Sequence, residues 1–375
     1  MALPTEPLRQ LLEGWMASLR DVPAAQDAVV HKLVKEYSQT RYGEEKGANQ
    51  ICTIDEFRKA FPVRSYDQYE PMVWAVMRGD HKLLCSEKPM AYAMTRGTTG
   101  RPKVIPCTRA HLDLIFECGS RVVVNQALRT NDSSLLEGYV LNLNFPSLVS
   151  QINGPQGVVR FGYSSGTYAR LKPSLGSGGL VPLQEEIDAL GPGIGLRDWQ
   201  RRFELVFREA KDKPVVAAIG VTPVILSFAR YLKRKHGLLP KEVWSLKCLF
   251  CTSVTKIHTE YEPELQKAYG QIPVREIYSA TEGVFGQQLD DFPYIVPNFD
   301  GYLFEVKMGK KVISMHEMKK GQWGRLIVST PVLPRYDIGD MIECLGGHYY
   351  RVFGRAKASV VLEHLVYRLL AGWAL

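Results

Sequence analysis

No stretch of this chain approaches the about 18 consecutive apolar residues that a membrane-spanning helix needs. Residues 1–13 carry charge of both signs where a secretory signal would carry an apolar run. Both absences lead to the expectation of a cytoplasmic protein with no membrane partner. Cysteine is sparse: seven residues, odd in number and scattered over 375, make no disulfide framework and fit a reducing compartment. Cys248 and Cys251 have C-x-x-C spacing, yet they lie in the apolar run Leu246–Cys251 with no second pair at zinc spacing, and read as core thiols. The eight histidines are dispersed, none at metal spacing with a carboxylate partner. Asp290 and Asp291 are neighbours, which in extended chain face opposite ways and share no site. There is no basic block interleaved with aromatics, no repeat and no low-complexity tract. A net charge of +8 therefore points to anionic small ligands, nucleotides or acidic metabolites, rather than nucleic acid.

What is present is ordinary globular composition, 45% hydrophobic and 23% charged, in a length that allows two or three domains. Leu8, Leu11, Leu12, Trp15 and Leu19 recur at helical spacing, and so do Val29, Val30, Leu33, Val34 and Tyr37 beyond Pro23. A short helix over Ile54–Ala60 has Thr53 as its cap. Apolar runs at Pro214–Gly220, Leu246–Cys251 and Val274–Tyr278 read as buried parallel strands. Helical patterns over Pro223–His236 and His258–Tyr269 separate them. Strand and helix in alternation predict a doubly wound α/β sheet. Short strands follow at Tyr302–Val306, Gly324–Ser329, Met341–Leu345 and His348–Val352, predicting a small appended antiparallel β subdomain.

The chemistry concentrates in loops. After the alternating Met90, Tyr92 and Met94 comes Thr95-Arg96-Gly97-Thr98-Thr99-Gly100-Arg101-Pro102-Lys103. Two glycines let backbone N–H groups turn toward phosphate oxygens, the Thr95, Thr98 and Thr99 hydroxyls donate to the same oxygens, and Lys103 adds charge. It is not a Walker A loop, since G-x-x-x-x-G-K-[ST] is absent, and by itself it could be a polar β-turn. Tyr278-Ser279-Ala280-Thr281-Glu282-Gly283 follows a strand at the sheet's carboxyl end, where α/β folds bind ligands. There Thr281 suits a phosphate, Glu282 is a hard oxygen ligand for Mg²⁺, and Tyr278 offers a face to a purine. Arg335-Tyr336-Asp337-Ile338-Gly339-Asp340 reads as an acidic residue in a glycine turn, able to accept from a ribose diol, and Phe353-Gly354-Arg355 closes the β segment.

Together, in this order, the four motifs resemble the acyl-adenylate-forming superfamily. More narrowly they are similar to the auxin-responsive acyl acid–amido synthetases, as are Thr40–Gly43, Phe57-Arg58, Phe61–Val63, Tyr66 and Ile105-Pro106. The resemblance implies an ATP-dependent ligase with a large N-terminal adenylating domain over residues 1–355. Thr95, Thr98, Thr99 and Lys103 would hold the phosphates. Tyr278 would flank the adenine, with Thr281 at the α-phosphate and Glu282 on Mg²⁺. Asp340 would take the ribose hydroxyls and Arg355 the hinge side. Lys103, Thr281 and Glu282 are thus the expected catalytic groups. The partners implied are a carboxylic acid and an amine, an amino acid in the narrower family, or a thiol as in acyl-CoA ligases.

Two departures stand out. Arg96 occupies a loop position where the family has a small or hydroxylated residue, and is expected to line the pocket. Beyond Arg355, residues 356–375 form an apolar tail, with room for one amphipathic helix, where the family has a glycine-rich turn and a mobile domain. The expectation is ATP binding with slow or absent adenylation, a nucleotide-binding remnant being the competing reading. For the acyl pocket, Phe145 and Leu148, with Val221 and Thr222 before a helix, are candidate walls that core packing explains equally well. Gly162-Tyr163-Ser164-Ser165-Gly166 matches the G-x-S-x-G nucleophile elbow, which would make the chain a serine hydrolase through Ser164. The glycines and Pro173 in Thr167–Leu180 argue against the helix that motif requires. Gly191–Gly195 follows a polar stretch and reads as a plain loop.

Overall fold

The computed structural model describes residues 5–95, 102–155, 157–172 and 178–373, with side chains through Arg368. At the N-terminus α1 (Thr5–Arg20) and α2 (Val22–Tyr37) fall where the periodicity places them. Asp21 accepts from the Ala24 N–H and a proline sits in the first turn, where its missing donor costs nothing. Thr53 and Glu56 form a reciprocal capping box at α3 (Ile54–Ala60). Several helices were not read from the sequence, among them α4 (Tyr66–Met77) and α5 (Arg109–Thr130). In α5 the consecutive buried residues Arg121 to Ala127 cover the whole circumference, so no apolar stripe betrays it.

Two sheets organise the rest. The smaller has the order β2-β1-β5-β4, built from β1 (Ala91–Met94), β2 (Val104–Cys107), β4 (Ser150–Gly154) and β5 (Gly157–Tyr163). The larger has twelve strands. Its parallel part is β6 (Leu180–Val181), β3 (Tyr139–Asn142), β7 (Val215–Val221), β8 (Cys248–Thr252) and β9 (Val274–Ala280), in that order across the sheet. Helices α7 (Leu196–Ala210), α8 (Thr222–His236) and α9 (Glu262–Tyr269) come from the intervening segments. The two faces are both covered. Val123 of α5 meets Ile219 and Phe250 on one side, while alternation turns Cys251 toward Tyr269 of α9 on the other.

The expected antiparallel strands are present. They continue the same sheet through β10 (Gly283–Gln288), β11 (Ile295–Pro297), β16 (Tyr349–Arg355), β15 (Leu333–Gly346), β14 (Trp323–Thr330), β12 (Leu303–Met308) and β13 (Lys311–Ser314). The expected glycine turn at Arg335–Asp340 is corrected: that segment lies inside the single strand β15. Gly339, at φ +84°, supplies a local irregularity without ending the strand. A buried ion network ties α3 to this half. Arg335 donates to both oxygens of Glu305 (2.8 and 3.0 Å) and to the Arg58 and Phe61 carbonyls, and Arg58 donates to Glu305 at 2.9 Å. Finally, α6 (Ser164–Leu171) follows β5 without a gap, and α10 (Ala358–Trp373) is the helix foreseen in the tail.

Candidate functional site

The threonine-rich loop is carried by the antiparallel pair β1–β2, with Met94 opposite Val104. Its base is closed twice: Thr95 N donates to the Lys103 carbonyl at 2.9 Å, and Lys103 N donates to Thr95 Oγ1 at 3.2 Å. Arg96, Gly97, Thr98, Thr99 and Gly100 lie outside the described residues. Lys103 points across to the larger sheet. Its Nζ donates to the Tyr336 hydroxyl at 3.1 Å and stands 5.5 and 5.7 Å from the Tyr66 and Tyr336 ring centres, a cation held between two aromatic faces. Tyr66, the first residue of α4, is fixed by Val104, donating to its carbonyl and accepting from its N–H.

The second loop is tighter than the sequence suggested. Strand β9 runs on to Ala280 and β10 starts at Gly283, paired with it, so Thr281 and Glu282 are the two residues of a hairpin turn. A Cβ on Gly283 would sit 2.8 Å from the Phe285 and Tyr302 rings, which keeps that position glycine. Thr281 is buried, and its carbonyl accepts from Tyr168 of α6 at 2.5 Å. Glu282 is buried as well. Desolvation holds its carboxyl above the usual range, opposed by the Lys103 charge and by a hydrogen bond from Tyr336. Lys103, Tyr336 and Glu282 thus form one polar chain joining three segments distant in sequence.

Beside it runs a second chain. The Tyr278 hydroxyl donates to Asp340 Oδ2 at 2.8 Å, and Arg355 Nε lies 3.1 Å from Asp340 Oδ1. Asp340 and Arg355 are paired across β15 and β16, and Arg355 also donates to the Ile338 carbonyl at 2.6 Å. Burial raises the Asp340 carboxyl, with Arg355 and Tyr278 opposing. Among the described residues each oxygen of Asp340 has one partner. A carboxylate has about four lone-pair sites, so capacity remains for a diol.

Among the described residues no group of three His, Cys, Asp or Glu could hold a metal. Mg²⁺ needs no such cage, because it keeps its waters and takes one or two carboxylates plus phosphate oxygens, and Glu282 alone meets that requirement.

Of the proposed acyl walls, Phe145 is buried edge-on against Trp199 (4.8 Å) and Tyr163 (5.2 Å), and Leu148 is half-buried. Val221 and Thr222 stand at the carboxyl end of β7. Thr222 donates to the Thr252 carbonyl at 3.0 Å, and the Thr252 and Ser279 hydroxyls meet at 2.8 Å, so a polar row crosses the carboxyl ends of β7, β8 and β9. Glu276, which no sequence signal marked, shares a face with Tyr278 two residues on. Burial pushes its carboxyl up to about 7, and His258 Nε2 stands 3.9 Å away. Tyr168 was equally unmarked, a tyrosine in an unremarkable helix.

The G-x-S-x-G stretch is corrected in one respect: strand does pass directly into helix there. Its glycines have another cause. A Cβ on Gly162 would lie 2.2 Å from the Ser147 carbonyl carbon, and one on Gly166 would lie 2.0 Å from the Phe145 oxygen. Among the described residues no histidine is paired with Ser164; His236 and His258 meet Glu204 and Glu262. The cysteine pair is buried and free, and Asp290 and Asp291 have separate partners, Tyr349 for the first and Arg129 and Arg275 for the second.

Residues 12–174 match the GH3 family N-terminal domain. No curated relative matches the chain. Among solved structures, the chain is similar to a GH3.15 acyl acid amido synthetase in complex with 2,4-DB (TM-score 0.73, 15% identity, 94% of this chain and 71% of that one). It is similar also to a 2-hydroxyisobutyryl-CoA ligase in complex with 2-HIB-AMP and CoA (TM-score 0.63, 17% identity, 89% and 68%). Identities this low speak for the fold alone. The family resemblance read from the loops is thus supported by a match over residues 12–174, less than half of the chain, and the chain shares the mixed α/β fold of these solved structures.

Proposed function

We propose that this chain binds ATP across the two sheets and uses it to activate a carboxylic acid as the acyl adenylate. The observation that carries the reading is the convergence of the Lys103–Tyr336–Glu282 and Tyr278–Asp340–Arg355 chains, phosphate-type groups beside ribose-type groups. Thr95 and Lys103, with the loop between them, bind the phosphates, Thr281 faces the α-phosphate, and Asp340 accepts from the ribose. Glu282 would hold Mg²⁺, which when bound neutralises phosphate charge. A carboxylate oxygen attacks the α-phosphorus, the bond to the bridging oxygen breaks, and pyrophosphate leaves with that electron pair. No side-chain nucleophile is needed; alignment and charge neutralisation are. The acyl group then passes to an amine, an amino acid in the reading the GH3 match favours, with AMP leaving and one proton released. A thiol acceptor is the second reading, favoured by the likeness to a CoA ligase.

The test is carboxylate-dependent exchange of labelled pyrophosphate into ATP, run beside calorimetric ATP titration. Binding with exchange supports adenylation. Binding without exchange against a broad panel of acids makes the chain a nucleotide-binding protein without turnover, and absence of binding sinks both. The Ser164 hydrolase reading receives no support from the geometry.

A further inference from the structure

The turn at Thr281 and Glu282 is held at two points. Lys103 of the smaller sheet reaches the Glu282 side chain through Tyr336. Tyr168 of α6 reaches the backbone, its hydroxyl donating to the Thr281 carbonyl at 2.5 Å. A buried carbonyl outside a ladder needs a partner, and Thr281 is only 5% exposed, so this bond supplies what water has little access to give. The two holds differ in kind. A glutamate side chain can swing about its own bonds while the turn shifts beneath it, whereas a bond to the carbonyl fixes the backbone itself.

Tyr168 is seated firmly on the other half of the site. Its ring packs on the buried cluster of Ala93, Cys107 and Leu112, from β1, β2 and α5, and its hydroxyl is buried beside the Cys107 thiol. Phe116 of α5 meets the ring edge-on, with 6.5 Å between ring centres. Strand register explains why a helix residue arrives there. β1 and β5 run parallel with Met94 opposite Tyr163. The next residue on one strand is Thr95, where the threonine-rich loop begins, and on the other it is Ser164, where α6 begins. Tyr168 therefore lies about one helical turn beyond the base of that loop. The glycines of the G-x-S-x-G stretch make the corner possible, since Gly162 and Gly166 let strand and helix lie against the Ser147 and Phe145 backbones. The motif then serves to aim a tyrosine, four residues past its first serine, at the opposite sheet.

We propose that Tyr168 is a positioning residue, which locks the Thr281–Glu282 turn in register with the threonine-rich loop so that both meet one nucleotide. The inference rests on the ATP reading above. Tyr168 touches no nucleotide in that scheme and acts through the turn, setting where the Glu282 carboxylate stands relative to phosphates held by Thr95 and Lys103. Its hold does not depend on Lys103, whose ammonium the ligand also engages.

Calorimetric titration with ATP in EDTA, and again with ATP in excess Mg²⁺, separates positioning from support of the fold. In the unaltered chain magnesium should tighten ATP about tenfold or more, the gain from one charge-assisted contact at Glu282. Tyr168→Phe keeps the ring and removes the hydroxyl. It should bind magnesium-free ATP within about twofold of the unaltered chain and lose most of the magnesium gain. A side chain that merely supported the fold would lower both affinities or neither. Phe116→Leu, which loosens the seat of the ring and leaves the hydroxyl in place, should lose part of the same gain, and it decides the matter if Tyr168→Phe does not melt cooperatively. A full magnesium gain in the folded variant overturns the positioning role and leaves ATP binding intact, as does the absence of that gain in the unaltered chain. No ATP binding by the unaltered chain sinks the ATP reading and this inference with it.

Discussion

Among the described residues the Lys103 ammonium donates to the Tyr336 hydroxyl, and with three N–H donors it keeps capacity for a ligand. Lys103→Met removes a charge-assisted contact of about 1.5–3 kcal/mol, so the ATP dissociation constant should rise about tenfold to a hundredfold in calorimetry. Glu276 makes a different kind of test. Its folded carboxyl is raised by burial from 4.5 to about 7. Between those values the folded state keeps a proton that the unfolded chain has lost, so stability falls as pH rises through the window. Glu276→Gln should therefore stabilise the protein at pH 8 by on the order of 2 kcal/mol and have little effect at pH 4, as read from urea unfolding. Equal midpoints at pH 8 would mean that the burial cost is absent. Of these residues Lys103 was legible, since it closes a motif. Glu276 was not, because its environment comes from β9 and from His258 on another segment.

At the scale of elements, the strand-to-helix passage at β5 and α6 separates packing from chemistry. Gly166→Ala forces a methyl against the Phe145 carbonyl, between backbones that have nowhere to move, and should destabilise by about 1–3 kcal/mol in thermal or urea melts. Ser164→Ala should leave both stability and any ester hydrolysis unchanged. A loss of esterase activity in Ser164→Ala would reinstate the elbow. The sequence argument erred here by weighing the glycines and proline further along, whereas α6 ends at Leu171, before Pro173. Helices with a distinct cap or stripe, such as α2 and α3, were readable. The 22-residue α5 was not, since it is buried on several sides and no single period marks it.

Across the whole molecule, the candidate site draws Lys103 from the smaller sheet, Tyr278 and Glu282 from the middle of the larger one, and Asp340 and Arg355 from its antiparallel half. A ligand touching all three adds to the contacts that already join these regions. ATP with magnesium at about a hundred times its dissociation constant should add about 2.7 kcal/mol, visible as an upward shift of the melting temperature. Lys103→Met should lose most of that shift at the same concentration. An unshifted melting curve at saturating nucleotide would count against binding to the folded state.

The sequence by itself determined the α/β class and three of the parallel strands, and pointed to the chemistry of the loops, because period, capping residues and glycine placement are local properties. It also marked Lys103, Thr281, Glu282, Asp340 and Arg355 as a set, through their order along the chain. Only the tertiary structure decided that the antiparallel strands extend the main sheet, that Asp340 lies within a strand and bonds to Tyr278, and that Lys103 and Glu282 meet through Tyr336. Those facts depend on which distant segments pair, and pairing is set by the fit of whole surfaces that no local window contains. The same holds for α10: its apolar spacing was readable, but which side docks was fixed by Phe353 and Trp323, on which His364 packs.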